Sequence, residues 1–281
     1  HNMARQNIFE LLNSRWDLRE ELERISKRFD SIDIVTDRMY ESYDLKKFVD
    51  FYCFNEWKNC GHYIDIDDFL KVLDFDGLYK RAVTDIDSFL SYIEIIYNFY
   101  YIVKNYVDEY PRWQLTADFD GLRNNMDMCL EHYNHTVIYF KEKEQAIVYE
   151  KDPAVTAVAE ISDQETAFQI VQYNHHTHKG NILAKKSILL HLASELEPKR
   201  SILNSINKAF TDDIFILLNN LNLRHNNCDP HSKEYKQYIK EMPEDTIEEW
   251  YDELYQMILL AKLELDHLER KSKIAELKTH F

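Results

Sequence analysis

Apolar residues recur at steps of three and four along most of the chain, which is the spacing of one face of an α-helix. The clearest run extends from Ile86 to Tyr110 and contains Phe89, Ile93 and Val103. Pro111 should end this helix, because proline disfavours the helical conformation in the residue before it. Similar stripes predict four further helices, over residues 5–29, 119–133, 163–196 and about 200–227.

Glycines and a capping motif divide the remaining helical sequence. Residues 38–80 are aromatic-rich and contain Gly61 and Gly77, which predicts two or three shorter helices. Gly180 should bend or divide the 163–196 segment. Thr246-x-x-Glu249 has the form of a capping box, which predicts that the last helix opens there. The buried face of that helix would carry Ile247, Trp250, Leu254, Ile258, Ala261, Leu265 and Leu268.

The spacing of apolar residues no longer follows the helical period near the middle of the chain. The runs TVIYF and QAIVYE are rich in β-branched and aromatic residues and are separated by KEKE, which predicts a β-hairpin near residues 136–149. The run AVTAVAEI after Pro153 fits a helix or a strand. The predicted fold class is therefore all-α, an antiparallel helical bundle with one small β-hairpin. We divide it into an N-terminal helical region, residues 1–112, and a second helical domain, residues 113–281.

Composition narrows the classes of function. The formal net charge of −16 argues against broad, non-specific binding to nucleic acid, although it leaves room for a local cationic site. The four cysteines form no C-x-x-C pair, which fits reduced thiols in the cytoplasm. We identify no signal peptide. The most apolar run, YIEIIYNFYYIV, is too short to span a bilayer, so we expect a cytoplasmic protein without a membrane partner.

The stretch RHNNCDPH, residues 224–231, combines cationic and polar groups after an apolar segment. Arg224 continues the series Leu203, Phe210 and Leu217, which places it on the buried side of the predicted helix. A buried guanidinium requires a partner, which would be a distant carboxylate, a second subunit or a phosphate ligand.

Pro230 cannot continue that helix, so Asp229-Pro230 should be the cap and first position of a new one. His231 would then lie in a first turn, beside free backbone N–H groups and the positive end of a helix dipole. A pocket that contains Arg224, His231 and these amides would suit an oxyanion or a phosphate.

The pattern R-x(4–6)-H after an apolar helix resembles the signature of the HEPN superfamily, and here six residues separate Arg224 from His231. The flanking LLNNLNLRHNN and EEWYDELYQMILLAKLELDHLER are similar to HEPN-type bacterial abortive-infection proteins, over about residues 160–270. The resemblance implies a helical dimer with facing motifs that cleaves RNA without a metal and leaves 2′,3′-cyclic phosphate and 5′-OH ends. It implies that His231 moves protons, that Arg224 stabilises phosphate charge and that His225, Asn226 and Asn227 support them.

The first hypothesis is thus a HEPN-like endoribonuclease in phage defence or a toxin–antitoxin response. We expect a homodimer through the C-terminal helices, RNA as a candidate substrate, a basic protein antitoxin as a candidate partner and no cofactor. The alternative is a non-catalytic helical binding or regulatory module, which the acidity and the lack of a basic groove favour. In that case Arg224 is a buried ion-pair residue, and Asn226 and Asn227 cap a helix.

Two histidine pairs suggest a third hypothesis, a metal-dependent enzyme. His175 and His178 lie on one face of a predicted helix, and His132 and His135 repeat the spacing. Because the first pair lies along an apolar stripe, hydrogen-bonded core histidines are the preferred interpretation, and we assign no metal ligands.

Overall fold

The computed structural model describes residues 16–39 and 41–281, and it divides into two compact units. The first unit ends at Val148, and the second runs from Tyr149 to Phe281. The first eleven residues of the predicted helix 5–29, with Leu11, lie outside the described residues. Among the described residues, no helix has both the length and the apolar character that crossing a membrane requires.

The first unit contains most of the β-structure. Its helices are α1 (Leu18–Asp30), α2 (Leu45–Phe48), α3 (Ile66–Val72), α4 (Phe75–Arg81), α5 (Ile86–Glu109) and α6 (Ala117–His132). After α2 the chain continues through a π-helical turn, Val49–Cys53, and a 3₁₀ turn, Phe54–Glu56. Its strands are β1 (Val35–Asp37), β2 (Ser42–Tyr43), β3 (Trp113–Leu115), β4 (His135–Phe140) and β5 (Gln145–Glu150), and the last two residues of β5 already belong to the second unit.

Helix α5 is the core of the first unit, and the structure confirms the prediction for this segment. Asp85 caps its start by accepting a hydrogen bond from the Ser88 N–H at 2.9 Å, and the helix ends at Glu109, two residues before Pro111. Both faces of α5 contribute to the core. Its fully or almost fully buried apolar residues are Phe89, Leu90, Tyr92, Ile93, Ile96, Tyr97, Phe99 and Val103.

The first unit extends beyond the predicted boundary at residue 112. Strand β3 pairs antiparallel with β1, opposing Leu115 to Val35, and so joins residues after 112 to the start of the unit. Helix α6 packs on α1, where Arg28 bonds to Asp118 at 3.1 Å and to Asn125 at 2.7 Å. Residues 113–148 therefore fold with the N-terminal segment.

The predicted hairpin is confirmed as β4 and β5, with KEKE at its turn. The structure adds a second sheet that the sequence did not predict, in the order β2-β1-β3. Its strands have two or three residues, which is too short to show an alternating pattern.

The break between α3 and α4 is made by an aspartate rather than by the predicted glycine. Asp74 adopts a left-handed conformation, with φ of 51°, directly before α4. Gly77 lies inside α4, where a Cβ atom would stand 2.2 Å from the Asp74 Oδ2. The missing side chain of Gly77 leaves room for the Asp74 carboxylate, which binds Arg81 at 2.9 Å.

The second unit is helical after β5. Its helices are α7 (Pro153–Ile161), α8 (Gln164–Tyr173), α9 (Ile182–Leu196), α10 (Arg200–Ile206), α11 (Lys208–Asn220), α12 (Gln237–Lys240) and α13 (Glu244–Lys278). The ambiguous run after Pro153 is thus a helix. The 163–196 segment is divided as predicted, by a 3₁₀ turn at His176–His178 and by Gly180, whose φ is +74°.

Two predicted helix limits are wrong. The predicted 200–227 helix breaks at Asn207, whose side chain accepts a hydrogen bond from the Phe210 N–H at 3.1 Å and so caps α11. Helix α11 then ends at Asn220. The capping box at Thr246 is not formed either, because α13 already begins at Glu244 after Pro243. On α13 the predicted residues Leu254, Ile258 and Ala261 are buried, whereas Trp250 and Leu268 are exposed. The buried face also contains Tyr251, Tyr255 and Leu259.

Candidate functional site

The loop between α11 and α12 contains all five predicted site residues. Helix α11 ends before it, so Arg224 does not lie on the buried face of a helix, as the sequence suggested. Asn222 adopts a left-handed φ of 55° and turns the chain away from the helix axis. The carbonyls at this helix end are satisfied by the Arg224 N–H, which donates to Leu218 at 3.1 Å, and by the buried Tyr251 hydroxyl, which donates to Leu221 at 3.1 Å.

Asn227 holds this loop together. It is fully buried, and its side chain accepts a hydrogen bond from the Asn222 N–H at 2.8 Å and donates one to the Glu234 carbonyl at 2.7 Å. The Asn227 carbonyl accepts a further bond from the Lys236 N–H at 2.8 Å. Asn227 is therefore a structural residue of the loop rather than the helix cap that the alternative expected, since Leu221 is the C-cap of α11. Its neighbours His225 and Asn226 are exposed.

The Arg224 guanidinium already has partners within the chain. It forms an ion pair with the Glu197 carboxylate and lies over the Phe215 ring, 5.1 Å from the ring centroid. Its side chain is only 19% exposed, whereas that of Glu197 is 53% exposed. A second guanidinium, that of Arg200, lies 4.2 Å from the same centroid. The distant carboxylate that the sequence analysis considered as a partner is thus Glu197.

His231 lies in an irregular, exposed part of the loop and not in the first turn of a helix. Its backbone N–H donates to the Asp229 Oδ1 at 2.9 Å, which makes a local turn around Pro230. The next helix, α12, starts only at Gln237 and has a single turn. Within the described residues, no hydrogen bond, ion pair or ring contact joins His231 to Arg224.

A buried cation that the sequence analysis missed lies between α9 and α13. The Lys185 Nζ is 2.6 Å from the Glu248 Oε1 and 2.6 Å from the Asp252 Oδ1, and its side chain is 7% exposed. The Tyr173 hydroxyl donates to the same Asp252 oxygen at 2.8 Å, and the Gly180 N–H donates to Glu248 at 2.8 Å. We call these residues the Lys185 cluster.

Two members of the Lys185 cluster, Tyr173 and Glu248, have shifted pKa values. Burial of Tyr173, together with the charge of Asp252 and the hydrogen bond to it, raises the pKa of the Tyr173 phenol far above its ordinary value. Burial alone would raise the pKa of Glu248, but the hydrogen bonds from Lys185 and Gly180 and the charge of Lys185 outweigh it and lower that pKa. The cluster is therefore an ion pair whose charged form is stabilised within the protein.

The histidine pairs do not form a metal site. His175 and His178 lie in the turn after α8, where the His178 Nδ1 is 2.6 Å from the Gln172 carbonyl, and burial lowers the pKa of His178. His132 stacks on Trp16 at 3.7 Å between centroids, and the His135 Nδ1 is 2.7 Å from the Tyr133 carbonyl. Among the described residues, no group of three or more His, Cys, Asp or Glu side chains could hold a metal ion.

Comparisons of the chain with protein-family models, with curated proteins and with solved structures give no match. The resemblance to the HEPN superfamily therefore rests on the loop residues and flanking segments quoted above.

Proposed function

We propose that this protein is a non-catalytic helical binding and regulatory module that associates with a second copy of itself through the C-terminal part of α13. The observation that carries the proposal is the exposure of that part. Every described side chain from His267 to Phe281 is exposed. The apolar ones among them include Leu268, Ile274 and Leu277, with 40%, 46% and 55% of their surface accessible.

A helical segment with no packed face is unfavourable on its own. Isolated helices shorter than about 12–15 residues are marginal in water, and most helical stability in proteins comes from a packed apolar face. The exposed part, 267–278, continues a helix of 35 residues and so needs no new nucleus, but it lacks such a packed face. A partner that covers Leu268 and Leu277 would supply the missing stability and would remove apolar surface from water.

Charge indicates that the partner is a second copy. Residues 267–281 contain four Lys or Arg and two Glu, a formal net charge of +2. The rest of the chain, residues 1–266, contains 30 basic and 48 acidic residues, a net charge of −18. A basic segment on an acidic protein is complementary to the surface of another copy, and complementary charge favours and orients association.

The loop geometry supports a non-catalytic role for Arg224. Its guanidinium is neutralised by Glu197 and covered by Phe215, so it is not held ready for an incoming anion. A catalytic base must also reach the atom that it deprotonates, and the loop gives His231 no partner that would orient its ring.

The endoribonuclease remains a second candidate because of one observation. Glu197 is half-exposed, so a phosphate can exchange with it at Arg224, since an ion pair with an exposed partner is worth about 0–1 kcal/mol. Asn227 keeps both ends of the 224–231 loop in one compact turn. In the scheme that the HEPN resemblance implies, His231 would then act on the 2′-OH and Arg224 on the phosphate.

Association is tested by sedimentation of the full chain over a range of concentrations. We expect a dimer for the wild type and a monomer for the double variant Leu268→Asp/Leu277→Asp. Leu183→Asp is the matched control, because Leu183 is 79% exposed on α9 and its replacement adds the same kind of charge elsewhere in the second unit. A wild type that stays monomeric, or a double variant that still dimerises, would contradict the proposal.

Cleavage of total RNA in EDTA distinguishes the two candidates. We expect no cleavage by the wild type beyond that of His231→Ala, measured by end-group analysis. Cyclic-phosphate ends that form with the wild type and not with His231→Ala would instead establish the nuclease and its residue.

A further inference from the structure

The first unit contains a cavity of about 280 Å³ that lies against α3 and α5. Its apolar walls are formed by the aromatic residues Trp57, Phe69 and Phe99 together with Leu73 and Ile95. Ligand sites are typically concave and mostly apolar, with a few polar groups that fix orientation, and span about 300–1,000 Å³. The cavity has this character and is slightly smaller than the lower end of that range, which suits a ligand with a single ring.

The three aromatic rings form a triangle of inclined planes. Trp57 and Phe69 are 5.5 Å apart at 74°, Trp57 and Phe99 are 5.8 Å apart at 67°, and Phe69 and Phe99 are 6.1 Å apart at 63°. No two of these rings are stacked face to face. Aromatic faces carry partial negative charge and attract cations that lie within about 6 Å of the ring centroid.

The charged residue in the polar part of the cavity is also negative. Glu94 of α5 lines it, and its Oε2 accepts a hydrogen bond from the Val148 N–H at 2.6 Å, which fixes the carboxylate. The amides of Asn59, Asn98 and Gln145 complete the polar lining, and none of the described lining residues is Lys, Arg or His. Residues 1–148 as a whole contain 18 basic and 28 acidic residues, a formal net charge of −10. An anionic ligand would thus find no favourable partner there.

The walls are held in place by hydrogen bonds to the hairpin. The Trp57 Nε1–H donates to the Glu144 carbonyl at 3.1 Å, which sets the orientation of the indole ring. Asn98 of α5 accepts from the Ala146 N–H at 2.8 Å and donates to the Ala146 carbonyl at 3.1 Å. A pre-formed site binds more tightly, because less conformational freedom is lost when the ligand enters.

From these observations we infer that the cavity binds a small organic cation, an amine carried on an apolar or aromatic body. The apolar body would lie against the side of the Trp57, Phe69 and Phe99 cluster that faces the cavity, and the ammonium group would lie near the Glu94 carboxylate. This site is in the first unit and does not depend on the proposed association through α13.

Three probes of similar size and different charge test the inference: 2-phenylethylamine, 2-phenylethanol and phenylacetate. Binding to the full chain is measured by calorimetry and by the ¹⁵N–¹H signal of the Trp57 indole. We expect the amine to bind at least about tenfold more tightly than the alcohol, which corresponds to about 1.4 kcal/mol, and we expect no binding of phenylacetate. Equal affinities for all three probes, or no binding of the amine, would overturn the inference.

Glu94→Gln is the decisive variant, because glutamine keeps an acceptor for the Val148 N–H and removes only the charge. We expect it to lose the preference for the amine and to keep the affinity for the alcohol. Glu109→Gln, an exposed position on the same helix, is the control for net charge and should bind like the wild type.

As a second variant, Leu73→Trp should block the cavity from a partly exposed lining position and abolish binding of the amine. If Glu94→Gln or Leu73→Trp binds the amine as the wild type does, the assignment is wrong.

Discussion

Replacing Lys185 by methionine should destabilise the second unit far more than the loss of an ordinary surface charge. Methionine fills a similar volume, so the main effect is to leave the Glu248 and Asp252 carboxylates without their cation. Removing one partner of a fully buried pair costs about 3–5 kcal/mol, and removing one partner of an exposed pair costs about 0–1 kcal/mol. Because Glu248 is 18% exposed and Asp252 is 51% exposed, we expect an intermediate cost of about 2–3 kcal/mol.

The loss of unfolding free energy in Lys185→Met should also depend on pH. The pKa of Glu248 is lowered in the folded protein, so its contribution to stability is present above the ordinary value of 4.5 and is lost as the pH falls through the lower folded value. In the Lys185→Met variant, burial would raise the pKa of Glu248, because the hydrogen bond and charge of Lys185 that lower it would be missing. The difference in unfolding free energy between the wild type and Lys185→Met should therefore shrink as the pH is lowered below 4.5.

The assay is urea unfolding followed by pulsed hydrogen exchange and mass spectrometry, because peptides from the second unit can then be followed separately. Lys208→Met is the control, since Lys208 is exposed on α11 and its replacement should change stability by less than about 0.5 kcal/mol. If Lys185→Met costs less than about 1 kcal/mol near neutral pH, or if its effect does not change with pH, the Lys185 cluster is not the buried ion pair that its geometry indicates.

Two further substitutions test the contacts that support the turns before α4 and after α11. Asn227→Ala should remove the hydrogen bond that the buried Asn227 side chain accepts from the partly buried Asn222 N–H, cost about 1–3 kcal/mol and increase proteolysis of the 222–236 loop. Asn226→Ala, at an exposed position, should leave proteolysis unchanged, and equal proteolysis of both variants would rule out this role. Gly77→Ala should lower the denaturant midpoint by an amount that corresponds to about 1–2 kcal/mol, because its Cβ would meet the Asp74 carboxylate at 2.2 Å. An unchanged or higher midpoint would show that Asp74 can rotate away without loss.

Periodicity predicted the long elements because their spacing is set by burial along many residues. Helix α5 and the β4–β5 hairpin each contain enough apolar positions to show their period, and both are confirmed. The β2-β1-β3 sheet could not be predicted in this way, since its strands are too short to show a period and pair over long sequence distances. The mostly helical fold was therefore accessible from sequence, whereas the connection of residues 113–148 to the first unit was not.

The predicted position of Arg224 on the buried face of a helix was wrong for a local reason. The seven-residue spacing of Leu203, Phe210 and Leu217 was extended across Asn207, which ends one helix and caps the next. The buried residues of α11 are Thr211, Ile214, Phe215 and Leu218, so the true stripe differs in phase from the extrapolated one. The asparagine at 207 is a typical N-cap residue and could have signalled this break.

Lys185 is the opposite case, because the residue could be recognised from the sequence but its partners could not. It lies three residues after Ile182 and four before Leu189, on the apolar stripe of α9, and a lysine at such a position signals a buried cation. Its partners could not be named from sequence, because Asp252 is 67 positions away and nothing in the local pattern specifies that α9 and α13 pack together.

Lys185, which is buried, and Arg224, which is partly exposed, differ in one respect that bears on function. Lys185 is held by two carboxylates, one of them largely buried, and by the Tyr173 ring, 5.1 Å from the ring centroid. Arg224 is held by one carboxylate, that of Glu197, which is half-exposed. If another anion takes the place of Glu197 at Arg224, the released Glu197 carboxylate is solvated. If an anion displaced the partners of Lys185, the Glu248 carboxylate would be left without its cation in a largely buried site. If either cation meets an anionic ligand, it is therefore Arg224, and the RNA experiment examines the position where exchange costs least.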